Sequence, residues 1–300
     1  MKLYLAGIMT SNFDKAGRVY LKLDDAERKM RDSVEYFLES YHYIHRQSMV
    51  EKIRREGIKV FLDSGAFSAF SQGVTIDIDR YCDYIKTNRD IIDFASVLDS
   101  IGCHKGTWHN QAAIERNGVS VLPCFHYGEP MEVGQYYVDN YKHFTLGGLV
   151  PVSTPQMKIW LDRVWHTLFT HPDGTPKARI HGFGVTSLPM MMRYPWDSVD
   201  SSTWVQWAAN GMILLPRSGK QIDISSQSSR KKIANQHIDS LPQLQRQALE
   251  DEIALEGVDP DRLRLNYYSR WAWNAWAFPE YVKLRGGGAS KFVPEVQELF

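Results

Sequence analysis

The chain reads as an α/β protein of the TIM type: one (β/α)₈ barrel with a C-terminal helical extension. Two observations predict this. Short apolar, β-branched runs alternate with helical segments, the pattern of a parallel sheet covered by helices. The runs number eight, the count at which such a sheet closes into a barrel. They are Leu3–Gly7, Val60–Gly65, Ile92–Asp99, Val119–His126, His143–Val150, Arg179–Val185, Ser198–Ser201 and Gly211–Pro216. A long helix is expected from about Asp24 to Gly57. It has an acidic start (Asp24, Asp25, Glu27) and a glycine stop, both suited to the helix dipole. Further helices are expected over Asp77–Asn88, Lys105–Asn117, Met131–Asn140, Pro155–Thr170, Leu188–Tyr194 and, more briefly, Thr203–Asn210. The competing doubly wound sheet usually has fewer strands, and no GxGxxG follows the first run. The serine-rich stretch Arg217–Lys232 reads as a loop. The segment 217–300, with a helix at Gln243–Glu256 and aromatic residues at Tyr267–Tyr281, reads as an extension packed on a single domain spanning 1–300.

Composition narrows the function classes. A length of 300 residues supports one large core. Lys plus Arg balance Asp plus Glu at 35 each, so nucleic acid must be met by a local patch, not a global field. Cys82, Cys103 and Cys124 form no CxxC pair. That spacing predicts reduced thiols, no disulfide framework and no metal site. The first apolar run is too short for a signal peptide, and no stretch nears the roughly 20 apolar residues of a membrane span. A cytoplasmic protein with no membrane partner is expected.

In a parallel barrel, chemistry gathers where strands end. FLDSGAFSAF places Asp63 at such an end, FASVLDSIG places Asp99, VLPCFHYGE places His126, LGGLVPVS places Gly147 and Gly148, HGFGVTS places His181, Gly182 and Gly184, and SVDSSTW places Asp200. Each aspartate is followed by serine, and each alone reads as a helix N-cap. Three at analogous positions beside glycines read as a site. Such a set suits substitution at a sugar carbon, with one carboxylate attacking, one moving a proton and one reading the substrate.

The ordered motifs resemble the tRNA-guanine transglycosylase family. DSGAFS (63–68) is similar to its DSGG(F/Y)Q, LGGLVPVS to its GGLAVGE and HGFGV to its MGVG, over about residues 59 to 216. The nearest resemblance is to the small zinc-lacking members from phages and bacterial DNA-modification clusters, which place 7-deazaguanines in DNA. The resemblance implies that Asp200 attacks C1′ and expels guanine while Asp63 handles the proton. It implies that Asp99 accepts from the purine edge, with Gly147, Gly148 and Leu149 meeting that edge through backbone. It further implies a base stacked between Phe67 and His181. A covalent aspartyl intermediate conserves the activated sugar, so no cofactor is expected.

The departures shift the expected substrate. The family's C-terminal cysteine-rich zinc site is absent, since no cysteine follows Cys124. That favours DNA over tRNA, with a 7-deazaguanine such as preQ0 incoming and, for a phage protein, the host cytoplasm as its place. Ala66 and Ser68 depart from the second glycine and the glutamine of the motif, and Phe125–His126 stand where the family has glutamine. His126 reads either as a base contact or as packing under a loop. Arg217, Lys220, Arg230, Lys231 and Lys232 form a basic cluster that either holds phosphates or is a solvated loop. Asp197 competes with Asp200 as nucleophile, and Cys124 reads as buried and inert. Trp271, Trp273, Trp276 and Phe278 read as core packing. The expected partners include an accessory protein, which would open a duplex, or a second copy of the chain in a homodimer. The other readings are the same exchange on tRNA, a barrel hydrolase of a glycoside or nucleoside, and a non-catalytic nucleic-acid subunit.

Overall fold

The computed structural model describes residues 1–150 and 152–295. Two compact units divide the chain. One comprises Met1–Thr10, Tyr36–Ser201 and the described residues from Gly288 onward; the other comprises Ser11–Glu35 and Ser202–Gly287. The expected boundary at residue 217 therefore moves to 202, and the second unit recruits an N-terminal segment as well.

The first unit is built on eight parallel strands: β1 (Lys2–Ala6), β2 (Phe37–Ser40), β3 (Val60–Asp63), β4 (Ile92–Ala95), β5 (Cys124–His126), β6 (His143–Gly147), β7 (Arg179–Gly182) and β8 (Ser198–Ser201). Their order is β4-β3-β2-β1-β8-β7-β6-β5, so β1 pairs with both β2 and β8. The outer strands meet through one parallel bridge, Ser96 to Leu122. It is flanked by Leu122 N–H to the Ala95 carbonyl at 2.8 Å and Val97 N–H to the Leu122 carbonyl at 2.9 Å. The sheet thus curls until its edges touch, as a TIM-type fold requires.

Seven of the eight expected runs supply barrel strands, and two assignments change. β2 lies inside the segment expected to be one helix from Asp24 to Gly57. Both predicted ends of that segment hold. Asp24 and Glu27 form a reciprocal capping box, and Gly57 takes φ 73° as the left-handed cap. Between them the helix Asp25–Asp32 stops, β2 crosses the sheet, and the helices Tyr41–Ile44 and Gln47–Glu56 follow. Glu39 in the middle of β2 hides the strand, because a carboxylate interrupts the apolar run expected of a strand buried on both faces. The run Gly211–Pro216 was expected as the eighth barrel strand. It instead supplies β9 (Met212–Leu214), which pairs antiparallel with β10 (Gln221–Asp223) in the second unit. β10 lies inside the stretch expected to be a loop.

Side-chain alternation fills the barrel interior in layers. Tyr4, Leu38 and Phe61 form its buried core, with Phe94, Leu122 and Phe183 packed against them. Steps of two residues along each strand lead from Phe61 to Asp63, from Leu122 through Cys124 to His126, and from Ser198 to Asp200. The polar groups at the mouth therefore stand on the same strand face as the apolar floor beneath them.

In the second unit the helices Asp25–Asp32 and Thr203–Ala209 pack against the long helix Tyr267–Leu284. Trp273 and Phe278 are fully buried there, and the Trp273 indole N–H donates to the Leu214 carbonyl at 2.7 Å. Trp273 and Phe278 are core, as expected, whereas Trp271 and Trp276 are only half-buried. No helix among the described residues is long and apolar enough to cross a membrane.

Candidate active site at the barrel mouth

Asp63 ends β3, and the next two residues fix it there. Gly65 N–H donates to Asp63 Oδ2 at 3.1 Å. Gly65 adopts φ 75°, and a Cβ at that position would collide with Ser40 Oγ and His42 Cβ. Glycine is therefore required for the turn into the helix Ala66–Ser71. Burial, reinforced by the charges of Asp99 and Asp200, pushes the Asp63 carboxyl up to about 7. The charges of Asp99 and Asp200 thus both act on Asp63, although β3 and β8 are separated by two strands.

Asp200 is nearly buried on β8. Its Oδ1 accepts from the backbone N–H of Gly184 at 2.9 Å and lies 3.4 Å from His181 Nε2. Gly184, with φ 65°, closes the HGFG turn after β7, so this motif delivers a backbone donor to the carboxylate. The rival Asp197 lies before β8 and pairs with Arg179 through two contacts of 2.9 and 3.1 Å. It belongs to the opposite end of the strands and is committed to that pair.

Asp99 lies in the loop that leaves β4. That loop is anchored by Asn110 Nδ2 on the Leu98 carbonyl at 2.7 Å and by Ser100 N–H on Thr107 Oγ1 at 3.0 Å. Asp99 Oδ2 sits 3.2 Å from His126 Nε2, while its Oδ1 is buried without a hydrogen-bond partner. On the other side of the ring, His126 Nδ1 meets Glu129 Oε1 at 2.9 Å, and Glu129 Oε2 accepts the His126 backbone N–H at 3.2 Å. Burial opposes charge on the imidazole, yet the Cys124 sulfur and the Asp99 carboxylate hold its pKa well above the ordinary range. Burial also pushes the Cys124 thiol up.

The remaining expected residues divide. Gly147 is buried and Gly148 takes φ 68°, while Leu149 is buried at 1% exposure. Phe67 is exposed on the helix Ala66–Ser71 and keeps a free ring face. His181 does not. Its ring is fully buried, with Tyr4, Phe61 and Phe183 at centroid distances of 5.8, 4.5 and 4.7 Å, and Nδ1 lies 2.9 Å from Ser198 Oγ. It is a floor residue beneath Asp200, and the expected slot between Phe67 and His181 is not formed. Mid-strand position explains this, since His181 lies one layer below the turn that carries Gly184.

The basic cluster lies in the second unit. Arg217 pairs with Glu256 at 2.6 Å, Arg230 with Asp223 at 3.5 Å and Lys231 with Asp239 at 3.6 Å, while Lys220 and Lys232 are exposed. Three of the five cations are engaged by carboxylates, which weakens the phosphate reading for them.

Glu39 and Glu129 were not singled out in the sequence. Glu39 is buried on β2 and accepts from the Met9 backbone N–H at 2.6 Å, while Lys52 Nζ donates to the Met9 carbonyl at 3.2 Å. It fixes the loop that leaves β1, and burial pushes its pKa up to about 7. A lone glutamate inside the apolar run YFLES was its signal. Glu129 had the signal of an acid three residues beyond a strand-end histidine.

No family model matches the chain, and no curated protein is recognisably similar to it.

Proposed function

We propose that the barrel mouth exchanges guanine for a 7-deazaguanine base in nucleic acid, with DNA the preferred polymer. One observation carries the reading: Asp63, Asp99 and Asp200 share one mouth, with Asp63 poised to hold a proton near neutral pH and Asp200 oriented by the Gly184 N–H. Substitution at an N-glycosidic carbon needs that division of labour. Asp200 attacks C1′; the C1′–N9 bond breaks as the C1′–O bond forms, and the Asp63 proton goes to the departing guanine. The incoming base then gives its N9 proton to the Asp63 carboxylate, and N9 displaces Asp200 from C1′. Bonds and protons balance over the cycle without redox chemistry or nucleotide hydrolysis.

Asp99 is the base-reading candidate, because its unpartnered Oδ1 can accept from a purine N–H. Gly147 and Gly148 allow close backbone approach, and Phe67 offers an exposed ring for stacking. The resemblance of the DSGAFS, LGGLVPVS and HGFGV motifs supplies the choice of base and polymer, and the missing cysteine-rich site favours DNA. Cytoplasmic action follows from that substrate.

The test is a nucleoside-level mass spectrum after incubation with a 7-deazaguanine base and either duplex DNA or tRNA. A modified deoxynucleoside is expected. A ribonucleoside alone would move the substrate to tRNA, and release of free guanine without incorporation would make the protein a hydrolase.

A further inference from the structure

We propose that Asp99, Cys124 and His126 bind one zinc ion at the rim of the barrel. The cysteine spacing argued against any metal, but that argument sees only ligands close in sequence. Here β5 and the loop after β4 do what spacing cannot. Cys124 and His126 are two residues apart on one strand and so share a face. Asp99 reaches them across the Ser96–Leu122 bridge. The carboxylate oxygen, the thiol sulfur and a ring nitrogen all lie within 4.8 Å of one another.

Three further features suit an ion. The first is the histidine's outer partner. Glu129 holds Nδ1 at 2.9 Å and is itself tied to the His126 backbone, which leaves Nε2 as the coordinating nitrogen. A carboxylate behind a histidine in this way is the usual support of a zinc ligand. The second is space. The residue paired with His126 on β6 is Gly147, and a Cβ there would fall 2.8 Å from Cys124 Sγ and 3.1 Å from His126 Cδ2. Any side chain at that register position would enter the space between the two donors. The third is the aim of Asp99, whose Oδ2 lies 3.2 Å from His126 Nε2, so that the oxygen and nitrogen donors already face each other. One sulfur, one nitrogen and one oxygen donor match zinc better than magnesium or calcium. Three protein ligands leave a fourth position open, the pattern of zinc sites that also meet a substrate. The inference goes beyond the exchange reading and stands without it. An ion on Oδ2, Sγ and Nε2 leaves Asp99 Oδ1 available to a base.

The test is metal binding by the full chain, independent of turnover. Protein stripped with a chelator under reducing conditions is titrated with cobalt(II) and followed by absorption, with zinc content measured after reconstitution. One ion per chain is expected, with a thiolate-to-cobalt charge-transfer band. Cys124→Ser should remove the band, whereas Cys82→Ser and Cys103→Ser should leave it. His126→Gln and Glu129→Gln should each weaken binding, the latter by about 10–100-fold. Circular dichroism establishes that each variant is folded. Absence of the band at stoichiometric cobalt in folded wild-type protein, or its survival in Cys124→Ser, would overturn the assignment.

Discussion

The two ends of the barrel strands treat the same residue type in opposite ways. Where strands begin, aspartates are met by arginines. Asp197 is bound by Arg179, and Asp90 by Arg54 at 2.6 Å. Burial acts to raise the Asp197 carboxyl, but the Arg179 guanidinium outweighs it and the pKa falls; Arg54 lowers that of Asp90. Where strands end, no arginine among the described residues pairs with Asp63, and its carboxyl is pushed up by burial and by two like charges. The first arrangement neutralises charge and closes the structure. The second keeps an acid near its titration point beside other carboxylates, which costs stability and is expected where chemistry is done. The lesson is that an aspartate at a strand terminus is informative only together with its counter-charge.

Substitutions sharpen this contrast. Under the exchange reading, Asp200→Asn has the largest effect, a loss of at least about 10⁴-fold in turnover, since the nucleophile itself is removed. Measured exchange with unaltered circular dichroism checks it. Asp63→Asn should lower exchange by about 10²–10⁴-fold. In the wild type the rate should fall as pH rises through about 7, because the protonated acid is then depleted. A pH profile that keeps this limb in Asp63→Asn would assign it to another group.

Glu39→Gln tests stability alone. The folded state holds the Glu39 proton up to about pH 7, whereas the unfolded chain releases it near 4.5. Between those values the folded state binds more protons, so this group's contribution to stability falls as pH rises. Denaturant unfolding should therefore show the wild type losing up to about 3 kcal/mol relative to Glu39→Gln from pH 4 to 8. Equal pH dependence in both proteins would show that Glu39 is not the group. Arg179→Ala should have the smallest effect. It should cost about 1 kcal/mol at most, since Arg179 is half exposed, and leave exchange per folded molecule unchanged. A large loss of exchange would break the distinction between the two ends.

Much of this was legible in the sequence. Asp63, Asp99 and Asp200 could be placed because each follows an apolar run in the chain, and a parallel barrel aligns such ends by construction. β2 was not legible, because the buried Glu39 made a strand resemble the polar face of a helix. Gly211–Pro216 misled for the opposite reason. An apolar run is needed equally by a barrel strand and by the β9–β10 hairpin, and periodicity does not separate them. The fate of His181 depended on depth within the strand, one layer below the turn. The meeting of Asp99, Cys124, His126 and Glu129 depended on the register of β5 against its neighbours. Neither depth nor register is written in local sequence.

Under the exchange reading, Asp200 forms a covalent bond to the sugar carbon of the nucleic acid. Wild-type protein incubated with a guanine-containing oligodeoxynucleotide, in the absence of an incoming base, can be denatured, digested and mapped by mass spectrometry. An adduct is expected on the peptide carrying Asp200, lost in Asp200→Asn and dispersed when a 7-deazaguanine base is added. An adduct on Asp197 or Cys124, or one that persists in Asp200→Asn, would contradict it.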